Sequence, residues 1–205
     1  DFDAMSDDCG ATGSATVTFS ATDACGNATS TTATFTIEDT TAPAVMDAMD
    51  ATAECDGAGN AADLDGWLAS NGGASATDAC SGVTWSNDFD AMSDDCGATG
   101  SATVTFSATD ACGNATSTTA TFIIEDTTAP AVMDAMDATA ECDGAGNAAD
   151  LDGWLASNGG ASATDACSGV TWSNDFDAMS DDCGATGSAT VTFSATDACG
   201  NATST

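Results

Sequence analysis

The sequence predicts an all-β protein made of tandem β-sandwich repeats of 87 residues, each with one short inserted helix. Three observations lead there. The segment DFDAMSDDCGATGSATVTFSATDACGNATS begins at Asp1, again at Asp88 and again at Asp175. That fixed period marks a repeat architecture rather than one large domain. Within each period, short runs alternate small apolar with polar residues, the two-residue rhythm of half-buried strands. Finally, four cysteines recur in register, at Cys55, Cys80, Cys96 and Cys112 of the complete central copy. The copies are nearly identical; Thr36 in one stands against Ile123 in the next.

Asp39-Thr40-Thr41-Ala42-Pro43 recurs as Asp126-Thr127-Thr128-Ala129-Pro130, and Pro43 and Pro130 are the only prolines. Proline forces the preceding residue into an extended conformation and stiffens a linker. The expected boundaries are therefore residues 1–40, the C-terminal part of one repeat; 41–127, a complete repeat; and 128–205, a repeat lacking its last strand.

Along the complete repeat, Ala51–Cys55 reads as a first strand. Asn60–Ser70 reads as a helix, because Leu64, Trp67 and Leu68 share one face. Asn60 is placed to cap it with Asp63 three residues on, and Asn71-Gly72-Gly73 ends it. Ala74–Asp78 and Val83–Ser86 read as further strands, with Trp85 as a core tryptophan and Trp67 as the helix anchor. Ser101–Thr109 alternates most clearly, with Ala102, Val104, Phe106 and Ala108 facing one way. Gly113-Asn114 signals a hairpin turn. Thr116–Glu125 follows, with Ala120, Phe122 and Ile124 inward and residue 123 outward. The sum is about six strands and one helix, which favours a sandwich.

An 87-residue unit has a thin core, and small secreted domains add covalent staples. The cysteine spacings, with no histidine in the chain, fit disulfides rather than zinc. Four cysteines per unit allow three pairings. Strand polarity places Cys80 and Cys112 past strand ends at one pole, and Cys55 and Cys96 at the other. The expected bonds are Cys80–Cys112 and Cys55–Cys96, repeated as Cys167–Cys199 and Cys142–Cys183. Each is expected to stabilise its unit by roughly 2–4 kcal/mol.

There are 33 acidic residues and no Lys, Arg or His, a net charge of −33. No side-chain salt bridge can form. Nucleic acid and anionic membrane surfaces repel such a chain. No apolar run is long enough to span a bilayer, so direct membrane insertion is not expected. Where acids cluster, a divalent cation is the economical counter-charge.

The run ATVTFSATDACGNATSTTATFTIEDTTAP, continued by ECDGAGNAADLDGWLASNGGASATDACSGVTWSND, resembles the hyalin-repeat and related immunoglobulin-like domains of giant cell-surface adhesins of gliding Bacteroidetes. The likeness extends over the whole chain. Asp90, Met92 and Val45–Met49 depart from the Thr, Leu and Asn usual in such repeats. The resemblance implies an immunoglobulin-like fold, extracellular display at the cell surface, and a role in adhesion or as a stalk.

The duplicated Thr-Asp-Ala-Cys strings bring Asp78 and Asp110 to one pole, where the Glu38-Asp39 linker arrives. Calcium takes six to eight oxygen ligands from carboxylates and carbonyls. Glu38, Asp39, Asp78, Asp110 and Asn114 are candidate ligands, with Glu125, Asp126, Asp165, Asp197 and Asn201 as the set at the next junction. The bland alternative is that these are turn residues, which Asp and Asn favour. The run Asp88–Asp95 reads as a solvated loop. Asn27, Asn114 and Asn201 each open an N-glycosylation sequon, which in a bacterial protein reads as turn chemistry.

Catalysis is not expected. Glycosidase chemistry needs two acids across a cleft, a thin repeat offers none, and serine or cysteine nucleophiles lack a histidine partner. The expected function is a structural or adhesive repeat of a surface filament, disulfide-stapled and calcium-stiffened at its junctions. Its partners are neighbouring repeats of the same chain, with lateral self-assembly through strand edges such as that of Ile123. The alternative is an array of glycan- or protein-binding modules. Loops as constant as the strands favour the first reading.

Overall fold

The computed structural model describes residues 4–205. Among the described residues it is mostly β, with 13 strands and two short α-helices. The strands are β1 (Gly13–Thr22), β2 (Ala28–Ile37), β3 (Ala44–Met46), β4 (Ala51–Glu54), β5 (Ser75–Thr77), β6 (Thr84–Asn87), β7 (Gly100–Thr109), β8 (Ala115–Glu125), β9 (Ala131–Met133), β10 (Ser162–Thr164), β11 (Thr171–Asn174), β12 (Phe193–Thr196) and β13 (Ala202–Ser204). The helices are α1 (Ala61–Ala69) and α2 (Ala148–Ala156). Each is followed by a 3₁₀ turn, Asn71–Gly73 and Asn158–Gly160.

The sheets are β1-β2, β3-β5, β4-β8-β7-β6, β9-β10 and β11-β12-β13. The antiparallel hairpin β1–β2 pairs Gly13 with Ile37 at one end and Thr22 with Ala28 at the other. Residues 41–127 thus hold six strands and one helix, the content their patterning predicts. The strand not foreseen is β3, three residues beside the proline linker, which is paired antiparallel with β5. So short a strand leaves no alternation to read.

Alternation predicts the core of β7 and β8 well. Val104, Phe106 and Ala108 are buried, as are Ala120, Phe122 and Ile124. Ala102 is half-buried and Ile123 faces outward. Leu64 and Trp67 of α1 are also buried. The Trp67 ring stands edge-on to Phe106 at 5.2 Å and tilted to Phe122 at 5.5 Å. Its indole N–H donates to the Met49 carbonyl at 3.0 Å, so the buried nitrogen is satisfied. Trp67, on the helix, is the buried tryptophan. Trp85 lies on β6, the sheet's edge strand, and is half-buried rather than central.

Two local expectations change. The β7–β8 turn spans Asp110–Asn114, closed by Asp110 N–H to the Asn114 carbonyl at 3.0 Å, rather than a two-residue Gly-Asn turn. Asn60, placed to cap α1, sits at φ 49°, its side-chain oxygen accepting Asp56 N–H and its amide donating to the Glu54 carbonyl and the Asp63 carboxylate; its copy Asn147, at the N-terminus of α2, makes no side-chain cap and sits at φ 51°. Its amide instead donates to the Asp150 carboxylate and to the Glu141 carbonyl.

The chain forms two compact units that interleave the sequence repeats. Of the described residues, one comprises 4–51, 64–91 and 102–122; the other 52–63, 92–101 and 123–205. Each therefore contains pieces of successive 87-residue copies.

Candidate metal centre

In the first unit, three carboxylates from separate segments converge. Asp39 ends the first copy, Asp78 follows β5, and Asp110 opens the β7–β8 turn. Ligand atoms of Asp39, Asp78 and Cys80 lie within 4.8 Å of one another, as do those of Asp39, Asp110 and Cys112. Asp126, Asp165 and Cys167 form the matching group in the second unit.

Local turn chemistry fixes one oxygen of most of these acids. Asp78 Oδ1 accepts the N–H of Cys80 at 2.8 Å and of Ser81 at 2.9 Å. Asp165 does the same for Cys167 and Ser168. Asp39 Oδ1 accepts Thr41 N–H at 3.1 Å, and Asp126 Oδ1 accepts Thr128 N–H at 3.2 Å. The second oxygens differ. Asp39 Oδ2 and Asp126 Oδ2 are buried with no hydrogen-bond partner, although Asp126 is only 8% exposed. A buried charged oxygen left unpaired is costly. Burial, with the nearby charges of Asp165, Asp197 and Glu54, pushes the Asp126 carboxyl above its ordinary value. The chain has no cationic side chain to answer this.

Asp110 and Asp197 behave oppositely. Both are buried, and burial pushes each carboxyl up. For Asp110 the side-chain amide and backbone N–H of Asn114 outweigh that, and Asn201 does the same for Asp197, so both stay below the ordinary value. The two asparagines are clamps between copies. Asn114 Nδ2 donates to Asp110 Oδ2 at 2.8 Å and to the Asp39 carbonyl at 3.1 Å. Asn201 Nδ2 bonds Asp197 Oδ2 and the Asp126 carbonyl at 2.9 Å each. All three sequon amides thus donate to an aspartate, and those of Asn114 and Asn201 also to a linker carbonyl. Asn27 is exposed, its amide donating to Asp23.

Glu38 and Glu125 do not join these groups. Strand alternation turns Glu125 outward between buried Ile124 and Asp126, and Glu38 is likewise exposed. Glu54 is the residue that sequence reading missed. Its carboxylate accepts Thr127 N–H, Thr127 Oγ1 and Thr128 Oγ1 at 2.8–2.9 Å, clamping the second linker. An acid closing a strand near Cys55 was the only signal available. In the Asp88–Asp95 run, Asp88 Oδ1 accepts Thr105 N–H at 2.7 Å while Asp90, Asp94 and Asp95 are exposed.

The sulfurs do not favour a soft metal. Cys112 and Cys167 are in disulfides. Burial, then the charges of Asp39, Asp78 and Asp110, pushes the Cys80 thiol above its ordinary value, so it stays protonated. What remains is a set of hard oxygens, the chemistry of calcium rather than zinc.

The disulfides overturn the expected pairing. They are Cys9–Cys112, Cys55–Cys167 and Cys96–Cys199, with Cα separations of 5.2, 6.0 and 5.2 Å. None is Cys80–Cys112, Cys55–Cys96, Cys167–Cys199 or Cys142–Cys183. Cys25, Cys80, Cys142 and Cys183 are free thiols. Polarity placed Cys80 and Cys112 correctly beside Asp39, but the Cys9–Thr12 loop of the preceding copy docks there. Cys9 takes Cys112, and Ala11 N–H donates to the Cys80 carbonyl at 2.8 Å. The cysteines bond between copies, not within one.

The chain matches no protein-family model and no curated protein. Among the described residues no helix is long and apolar enough to cross a membrane.

Proposed function

We propose that this chain is part of an extracellular, cell-surface filament or adhesin of immunoglobulin-like, hyalin-type repeats, whose work is structural and adhesive rather than catalytic. The observation that carries this reading is that all three disulfides join one sequence copy to the next. Bonds of that kind bear tension along an array and need an oxidising compartment. Near-identical copies suit a load-bearing element, which gains from uniform joints.

Calcium completes the joint in this reading. Asp39, Asp78 and Asp110 hold it in one unit, and Asp126, Asp165 and Asp197 in the other, with backbone carbonyls and water filling the shell. Each set draws on two successive copies, so the ion ties copy to copy. The orphaned Asp39 and Asp126 oxygens support this.

The test is thermal melting and solution scattering of the oxidised chain with calcium and then with excess chelator. At calcium about 100 times its Kd, chelation is expected to lower Tm by roughly 10–20 °C and to increase flexibility. Asp126→Asn is expected to raise the chelated Tm while shrinking the calcium increment. An unchanged Tm on chelation removes calcium from the account and leaves a plain disulfide-stapled stalk.

A further inference from the structure

The three disulfides short-circuit most of the chain. Cys9–Cys112, Cys55–Cys167 and Cys96–Cys199 close overlapping loops of 103, 112 and 103 residues. A pull between Cys9 and Cys199 tightens the shortest covalent route first. That route crosses from Cys9 to Cys112, runs backward along the chain to Cys96, and crosses to Cys199. It contains 16 residue-to-residue steps, against 190 along the chain itself. The route through Cys55–Cys167 needs 46 steps from Cys9 to Cys55 and 32 more from Cys167 to Cys199, so it stays slack.

The short route is mostly strand. Ten of its residues, Gly100–Thr109, are β7. A strand rises about 3.3 Å per residue, close to the limit of a fully extended chain, so β7 has almost no length left to give. The slack lies in two short turns beside the cysteines. In one, Thr99 Oγ1 donates to the Cys96 carbonyl at 2.8 Å; in the other, Gly113 N–H donates to the Asp110 carbonyl at 3.3 Å. Straightening both adds at most about 25 Å. β7 is also an inner strand, between β8 and β6, and Val104, Phe106 and Ala108 on it are 0% exposed. Antiparallel ladder bonds run perpendicular to their strands, so a pull along β7 does not pass through them.

We propose that β7 is a tension strut. Load enters it at Cys112 and leaves at Cys96, carried by the Cys9–Cys112 and Cys96–Cys199 bonds. Cys55–Cys167 lies off the load path and locks the fold instead. Tension then passes through covalent bonds and a strand that is already straight, and the hydrophobic core does not have to open. Such a link resists stretching without unfolding, which the strands of an ordinary repeat do not. The strut rests on the structural role proposed above and not on calcium.

The experiment holds the whole oxidised chain by its two termini in a single-molecule force clamp, with chelator present, and then adds a small dithiol. Length is the right readout, because peptides around Cys9 and Cys96 are too alike for mapping to tell the copies apart. Before the dithiol, the span between Cys9 and Cys199 is expected to lengthen by no more than about 25 Å. Cleavage of either loaded bond shifts the load to the slack route, 62 steps longer, a jump of about 210 Å. With Cys55→Ser and Cys167→Ser together, the taut length is unchanged and the first jump grows to 71 steps, about 240 Å. Covalent length is read even if this variant is less stable. A long extension before the dithiol overturns the strut, since bonds formed within copies leave about 110 residues under load. A longer taut length in the double variant overturns it too. A taut chain whose Tm ignores calcium sinks the calcium reading alone; a calcium-dependent Tm with a long extension sinks the strut alone.

Discussion

Hairpins β1–β2 and β7–β8 have almost the same sequence and very different burial. In β1–β2, Phe19 is 57% exposed, Phe35 66% and Ile37 41%, whereas the equivalent Phe106, Phe122 and Ile124 are at most 4% exposed. The local structure is nevertheless the same. Thr16 and Thr34 hydroxyls meet across the first hairpin at 3.0 Å, as do Thr103 and Thr121 across the second. Strand pairing and register are therefore local, set by the turn and by alternation. The core is not local. It appears where a helix supplies Trp67, and again where Trp154 meets Phe193 at 5.2 Å.

The strongest way to break this comparison is Trp67→Ala. Removing the ring from Phe106 and Phe122 is expected to cost about 3–5 kcal/mol, making β7–β8 resemble β1–β2. Hydrogen exchange reads this site by site. Amides of β7 and β8 should fall toward the protection of β1 and β2, while β1 and β2 stay unchanged. Equal loss in both hairpins would mean that the first hairpin depends on the helix too.

A smaller perturbation pushes on the same contact from the turn after the helix. Gly72 has φ 64°, a conformation that L side chains rarely adopt, and an added Cβ would lie 3.0 Å from the Phe106 ring and from Ala48 Cβ. Gly72→Ala combines backbone strain with overpacking and is expected to cost about 1–3 kcal/mol, measured by urea unfolding. Gly26 in the turn of the first hairpin has a positive φ but nothing within 4 Å. Gly26→Ala should therefore show the strain term alone and cost less.

The same contrast explains what could be read from the sequence. Strands β7 and β8, their inward residues and the helix face were legible, because each follows from a periodicity within about ten residues. The convergence of Asp39, Asp78 and Asp110 was also legible, since duplicated strings mark equivalent strand ends. The partners of Cys55, Cys96 and Cys112 were not. They lie 103 or 112 residues away in another copy, and in a perfect repeat every cysteine of one type is identical to its copies. Sequence alone cannot say which copy is the partner. Glu54 was hidden for a similar reason, since Thr127 and Thr128 lie 73 and 74 residues away.

The smallest expected effect concerns the two hairpin tips. Asp23 accepts the backbone and side-chain N–H of Asn27, and Asp110 those of Asn114, at 2.8–2.9 Å. Both carboxyls lie below the ordinary value. At Asp23 the Asn27 amide is the main cause, whereas at Asp110 burial opposes the shift and the Asn114 bonds outweigh it. A carboxyl lowered on folding contributes stability that is present above its unfolded pKa and lost as pH falls through the lower folded value. With chelator present, Asp110→Asn should therefore lower Tm near neutral pH and flatten the acid limb of Tm against pH. Asp23→Asn should do so barely, because its tip is exposed and screened. If the two variants flatten the acid limb equally, the tips are energetically alike, and burial at Asp110 adds nothing to the bonds that the sequence already specifies.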